Sequence, residues 1–300
     1  MAASEAVAGS WGVGRAGRLL VVRVRPEEDL VPTLIARCRE AIQRGDAYQL
    51  CLTTAFEVAG VHDPLRVHRR LRRATPAHHG GIIRIGGLAL VSASPEQFLR
   101  TEGGRVRTRP IKGTRPRGVD ERDDRRLAAE LHASLKERAE NVMIVDLMRN
   151  DLSRVCEPRS IRVDGLWEVE SYPAVHQLVS TVSGRLRQGT TAAELWAAAF
   201  PAGSMTGAPK LSAMGLLHEL EKHPRGVYSG CFGYIGLDGS ADLAMVIRSI
   251  LIEPERAMIG AGGGITWRSE PADEVAEVAT KARAPLAALG AGLAPEWRTD

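Results

Sequence analysis

Apolar residues recur along this chain at two periods, and the switches between them mark out the elements. Leu34, Ile35, Cys38 and Ile42 keep helical spacing within residues 30–44 and give way to Gly45, which predicts a helix ended by that glycine. Strand-like runs occupy 19–24, 48–58 and the pair 81–85 and 88–92 around a Gly86-Gly87 turn. A Gly103-Gly104 turn leads to a strand at 105–109 and then a loop carrying Lys112. Residues 120–155 read as the longest helix, with an apolar stripe through 127, 131, 135, 139, 142 and 143. Strands follow at 160–163, 175–186, 228–237, 242–253 and 257–265. Helices follow at 190–200, 210–222 and 271–289, the last broken at Pro285. Strands toward both ends with long helices between them predict a mixed α+β fold. No repeat or linker divides the chain. The expected organisation is an N-terminal extension at 1–28, partly disordered, a catalytic domain at 29–290 and a tail at 291–300.

Composition narrows the function classes. With 44% hydrophobic and 25% charged residues the chain reads as an ordinary soluble protein, and its formal charge of +4 favours anionic ligands. Nucleic acid is not the expected partner, because the arginines are scattered and aromatics make up only 4%. The densest basic run, His68-Arg69-Arg70-Leu71-Arg72-Arg73, reads as the wet face of a helix. Cys38, Cys51, Cys156 and Cys231 lie far apart without metal-ligand spacing, which predicts reduced thiols and a cytoplasmic protein. No apolar stretch approaches membrane-spanning length.

Of 40 basic residues only five are lysine, and one of them, Lys112, sits in Arg109-Pro110-Ile111-Lys112-Gly113-Thr114. A desolvated lysine can lose its proton and act as nucleophile or base, whereas arginine stays charged. A solvated loop lysine is the plain alternative. Glu96, in Ser94-Pro95-Glu96 at a strand end, can protonate a leaving hydroxyl if burial raises its pKa, or merely cap a turn. Glu140 lies at the edge of the long helix's apolar stripe and needs a cation or an ion pair. Glu274, Glu277 and Lys281 share one face of the last helix, a spacing that suits Mg²⁺ but is more often that of a solvated helix. The glycine-rich runs 202–210 and 260–265 favour a carboxylate or phosphate ligand.

Read jointly, these segments resemble the chorismate-utilising enzymes. The matching pieces are Gly45-Asp46-Ala47-Tyr48-Gln49-Leu50, Ser94-Pro95-Glu96, the 110–118 run around Lys112, the 139–151 run from Ala139-Glu140-Asn141 to Asn150-Asp151, the 200–210 run, and the 260–265 run with the Glu274/Glu277 helix. They fall in the family's order over about residues 30–288. The resemblance implies two large packed β-sheets with helices outside, in an N-terminally shortened form. Water-using members carry a lysine base at the place of Gln49, so Gln49 implies ammonia as nucleophile. Members that aminate C4 carry Lys in the Pro-Ile-x-Gly-Thr run, where those forming anthranilate usually carry Ala.

The roles that follow from the resemblance are attack by Lys112 at C2 of chorismate and protonation of the departing C4 hydroxyl by Glu96. Mg²⁺ would be held by Glu140 and Glu277 with Glu274 nearby. Gln49, Thr114, Thr206, Tyr228, Arg248, Gly262, Gly263 and Lys281 would bind substrate. The implied product is 4-amino-4-deoxychorismate, for 4-aminobenzoate, folate or a related secondary metabolite. Ammonia would come from a glutamine amidotransferase subunit. Formation of anthranilate or 2-amino-2-deoxyisochorismate, and a non-catalytic chorismate-binding subunit, are the alternatives. One departure stands out: His176-Gln177-Leu178-Val179-Ser180 carries Gln177 where the family's usual second His, linked to proton handling, would be.

Overall fold

The computed structural model describes residues 19–20, 23–25, 31–173, 175–293 and 297. The helix predicted from Leu34, Ile35 and Cys38 is α1 (Val31–Gln43), and it buries those three residues with Val31 and Ala41. It lies over a seven-stranded sheet running β11 (Gly207–Ala208), β3 (Gln49–Ala59), β15 (Arg256–Ile265), β14 (Ser249–Ile252), β5 (Leu88–Ser94), β4 (His79–Ile85), with β2 (Arg23–Arg25) also paired to β3. Helices α2 (Pro64–Ala74), α6 (Lys210–Glu221) and α7 (Pro271–Leu289) complete the apolar layer on this sheet. The basic run lies on α2 as expected, with Val67 and Leu71 buried and Arg69, Arg70, Arg72 and Arg73 exposed.

A second seven-stranded sheet runs β12 (Cys231–Ile235), β13 (Ala241–Met245), β6 (Gln97–Glu102), β7 (Arg105–Arg109), β10 (Val175–Arg185), β8 (Ile111–Pro116), with β9 (Arg162–Ser171) also paired to β10. Its apolar layer includes residues of α4 (Leu135–Ser153) and α5 (Ala192–Ala199), and α3 (Glu121–Ala133) precedes α4. The two sheets meet where Cys51 of β3 packs in one cluster with Phe98 and Met245. Leu50 and Leu52 on the other face of β3 pack among the helices. This is the expected α+β architecture of two large sheets with outer helices.

Several expectations need correction. The 120–155 helix is two helices, because Ser134 ends α3 and its hydroxyl accepts from the Glu137 N–H to start α4. The buried face of α4 is not the expected stripe: Leu135 is 75% exposed, whereas Glu140, Asn141, Ile144, Val145, Met148, Asp151 and Leu152 are buried. Lys112 sits on strand β8 instead of a loop, and β9 begins later than expected and runs to Ser171. The 242–253 strand is interrupted at Val246–Arg248, where Arg248 takes φ +49°. Helix α7 continues through Pro285, whose lost N–H is outweighed by burial of Pro285, Leu286 and Leu289. Among the residues expected at the chain ends, β1 (Leu19–Leu20) pairs in parallel with β16 (Ala291–Gly292). Trp297 is fully buried, its ring edge-to-face on Phe56 at 5.2 Å. Residues 1–18 lie outside the described residues.

Lys210, in the glycine-rich run expected to attract an anion, donates instead to Asp151 at 2.6 Å and to the Ala199 carbonyl at 3.1 Å, tying α6 to α4. Asp151 is 3% exposed, so deleting its partner strands a buried charge. Lys210→Met is expected to cost about 3 kcal/mol in urea unfolding, with most of it recovered in Lys210→Met/Asp151→Leu. A loss within ~0.5 kcal/mol for the single variant would contradict a buried pair.

Candidate active site

The sheet pairing puts the expected residues around one cleft. Register pairs Gly262 with Thr53 and Gly264 with Cys51, so Gly260, Gly262 and Gly264 lie on one face of β15. A Cβ added at Gly264 would lie 2.3 Å from Nε2 of Gln49 and 2.8 Å from Nζ of Lys112. One at Gly260 would run into the Tyr228 ring, and one at Gly263, on the opposite face, would come within 2.9 Å of Glu274 Oε2. The glycines are thus the clearance that lets amide, amine, phenol and carboxylate converge on one strand. Gln49 is fully buried, and among the described residues neither polar atom of its amide has a hydrogen-bond partner. A buried amide left open on both sides marks a place for a ligand group.

Lys112 Nζ stands 3.8 Å from Glu140 Oε2, both side chains nearly buried. Desolvation works to lower the Lys112 pKa. Glu140 foremost, with Cys51, Glu277 and Glu96, outweighs it, so the net shift is upward and the resting residue is an ammonium. Burial pushes Glu140 up to about 7 against the opposing charge of Lys112. Glu140 lies at one margin of the buried face of α4, as expected from its place beside the apolar positions, and is itself 6% exposed.

Glu96 is 6% exposed and ends the turn between β5 and β6. Burial raises its pKa to about 7, opposed by the Ser204 hydroxyl, which donates to Oε1 at 2.7 Å, and by the ammonium groups of Lys112 and Lys281. It is a carboxyl group protonated near neutrality, the state a general acid needs.

On α7, Glu274 accepts from Lys136 at 3.3 Å. Glu277 pairs with Lys281 at 2.6 Å, and the same Nζ donates to the Gly262 carbonyl at 2.6 Å. Partial desolvation in the cleft works to raise Glu277, but Lys281 outweighs it and the net direction is down. Among the described residues no three His, Cys, Asp or Glu side chains converge as a ready metal cage. Glu140, Glu274 and Glu277 are nonetheless hard oxygen donors around one cleft. Such a set fits an ion that takes one or two carboxylates and completes its shell with water and substrate.

Tyr228 lies against Gly260 with Arg248 as an electrostatic neighbour, and burial raises the phenol's pKa and lowers the guanidinium's. Among the described residues the Arg248 guanidinium has no hydrogen bond or ion pair, which leaves its fork open for a carboxylate. Two expected binders are not brought in by any bond. Thr114 is exposed on β8, and the Thr206 hydroxyl donates to the Ala202 carbonyl at 3.1 Å. Gln177, 5% exposed on β10, pairs in register with Thr114, and its Oε1 is unpartnered among the described residues. Ser204, Lys136, Glu221 and Arg225 were missed from the sequence. The only signal available was the i,i+4 spacing of Glu221 and Arg225.

Residues 25–287 match the chorismate binding enzyme family. The chain is 49% identical over 257 residues to an aminodeoxychorismate synthase of Streptomyces pristinaespiralis, covering 85% of this chain and 36% of that protein. It is 44% identical over 256 residues to anthranilate synthase component 1 of Streptomyces coelicolor, covering 85% and 50%. The solved anthranilate synthase component I from Streptococcus pneumoniae has the same fold, with a TM-score of 0.78 at 33% identity over 89% of this chain and 60% of that one. The chain belongs to the chorismate binding enzyme family and spans between 36% and 50% of the length of these two curated relatives. Among the described residues no helix is long and apolar enough to cross a membrane.

The raised Glu96 pKa has a consequence for stability. Its folded value of about 7 lies above the ordinary 4.5, so the stability tied to its proton is complete below 4.5 and is lost as pH rises through 7. Urea unfolding at about pH 5 and about pH 8 should therefore show a smaller difference in Glu96→Gln than in the unsubstituted chain. Equal differences in the two proteins would contradict the raised value.

Proposed function

We propose that this family member aminates chorismate at C4 with ammonia to form 4-amino-4-deoxychorismate, as a transferase. The observation that carries the reading is a nearly buried lysine amine at Lys112 and a buried carboxyl group at Glu96 with a pKa of about 7, set around one glycine-cleared cleft. The likeness to an aminodeoxychorismate synthase supports it.

Bonds and protons balance as follows. Lys112 first gives its ammonium proton to solvent and regains one after turnover; its neutral amine bonds to C2, the two ring double bonds shift, and the C4–O bond breaks. Glu96 gives its proton to the departing hydroxyl, which leaves as water. Ammonia then bonds to C4, the double bonds return, the Nζ–C2 bond breaks, and Glu96 takes back a proton from the new amine nitrogen. Gln49 offers its open amide to the ring substituents or to the incoming ammonia. Arg248 receives the enolpyruvyl carboxylate through its free fork, with Tyr228 and the Gly262–Gly263 backbone beside it, and Lys281 adds positive charge.

Glu140 and Glu277, with Glu274 nearby, would hold Mg²⁺. When bound, the ion supplies positive charge to the ring carboxylate and engages the Glu140 carboxylate that otherwise keeps Lys112 protonated. A partner glutamine amidotransferase would supply ammonia, and the product would serve 4-aminobenzoate, folate or related secondary metabolism.

The test is turnover of chorismate with Mg²⁺ and an ammonium salt, with the product identified by NMR. The expected product is aminated at C4, and an amino group at C2 would refute the assignment. Lys112→Ala is expected to lower kcat/KM at least about a thousandfold. Full 4-amination by that variant would remove the covalent role.

A further inference from the structure

Arg225 takes no part in the steps above, yet all five of its N–H donors are engaged. Nε and one Nη atom bond the two oxygens of Glu221 at 2.8 and 2.7 Å, and that second nitrogen also reaches the Cys51 carbonyl at 2.8 Å. The other Nη atom donates to the Met205 carbonyl at 2.6 Å and to the Ser229 hydroxyl at 3.3 Å. Glu221, itself buried, accepts at 2.9 Å from both the N–H and the hydroxyl of Thr53.

Each acceptor neighbours a group that the reaction uses. Met205 follows Ser204, the residue that donates to Glu96. Cys51 stands two residues along β3 from Gln49, and Ser229 follows Tyr228, whose ring lies against Gly260. A planar guanidinium with every donor occupied cannot move one of these segments without moving the others.

We propose that Arg225 is a positioning residue: by gripping Met205, Cys51 and Ser229 from a base on Glu221, it sets the Ser204 hydroxyl against Glu96 and so governs proton delivery by that acid. The inference rests on the reading of Glu96 as the general acid. The groups acting on Glu96 are Ser204 and the ammonium ions of Lys112 and Lys281, all of which favour its carboxylate form against burial. Loosening Ser204 alone therefore lets Glu96 keep its proton to higher pH. A merely structural clip would lower the melting temperature and leave that pH dependence where it was.

The experiment compares pH profiles of kcat/KM for chorismate amination in the unsubstituted chain, Ser204→Ala, Arg225→Lys and the double variant. Lysine keeps the charge at 225 and loses the fork. Ser204→Ala and Arg225→Lys should each move the alkaline limb to higher pH and lower kcat/KM about tenfold or more, chiefly in kcat. The double variant should fall within about twofold of the weaker single one, because both act through one hydrogen bond. An Arg225→Lys profile that coincides with the unsubstituted one overturns the proposal and leaves the acid reading intact, as do effects that multiply in the double variant. If Arg225→Lys does not fold, Glu221→Gln takes its place under the same criteria. Failure of both to fold shows a clip that only maintains the fold and overturns the proposal. An unsubstituted chain that leaves chorismate unconverted refutes the acid reading, and the inference falls with it.

Discussion

Carboxylates sunk between sheet and helix stay charged only with a cation within reach, and this requirement organises the cleft. Lys112 faces Glu140, Lys136 faces Glu274 and Lys210 faces Asp151, three buried carboxylates, while Lys281 pairs with the exposed Glu277, which accounts for four of the chain's five lysines. Three of the four pairs involve α4, which they link to β8, α7 and α6. That helix is therefore the strut between the two sheet layers. The distances differ in a telling way. Lys210 grips Asp151 at 2.6 Å with a second bond to a carbonyl, whereas Lys112 stands off Glu140 at 3.8 Å. The tight pair holds elements together; the loose one leaves an amine that can be released. Arginine at position 112 would hold the carboxylate through a bidentate fork and never shed its proton, whereas lysine there keeps a proton that can be given up.

The sequence made the frame of the fold legible because its strands and helices differ in period. Helix α1, strands β3 and β5, and the glycine-cleared β15 fall within a few residues of expectation. The failures share a cause. The long helix was assigned from its apolar positions, but the face of α4 that is buried carries Glu140, Asn141 and Asp151, whose partners lie far away in sequence. Hydrophobic periodicity cannot find a buried face that is partly polar. Likewise Ser204 was visible only as a member of a glycine-rich run. Its meaning depends on Glu96, 108 residues earlier, and only the folded chain brings the two together.

The site itself was read mainly through the resemblance, and the structure supplies what motif matching lacks. Motifs named Lys112, Glu96 and Glu140 together but gave them no protonation states. Burial places both carboxyl groups at about 7, while the surrounding acids keep the lysine charged. The cleft thus holds Glu96 near its protonated form and Lys112 as an ammonium. In the proposed reaction, release of the lysine's proton would come with occupancy of the cleft, since the carboxylates that hold that proton are those a cationic ligand would engage.

Unpartnered groups point the same way. Among the described residues the fully buried Gln49 has no partner at either end of its amide, and Arg248, held at φ +49°, has a desolvated guanidinium without a hydrogen bond or ion pair. Buried polar groups of this kind, and a backbone held in the left-handed region, recur where a ligand's polar atoms complete the network. The amide of Gln49 can pair with a donor and an acceptor at once, and the planar fork of Arg248 matches a carboxylate through two parallel N–H bonds. Under the proposed function a ring acid that carries both a hydroxyl and a carboxylate answers the two groups together, the amide through the hydroxyl and the guanidinium through the carboxylate.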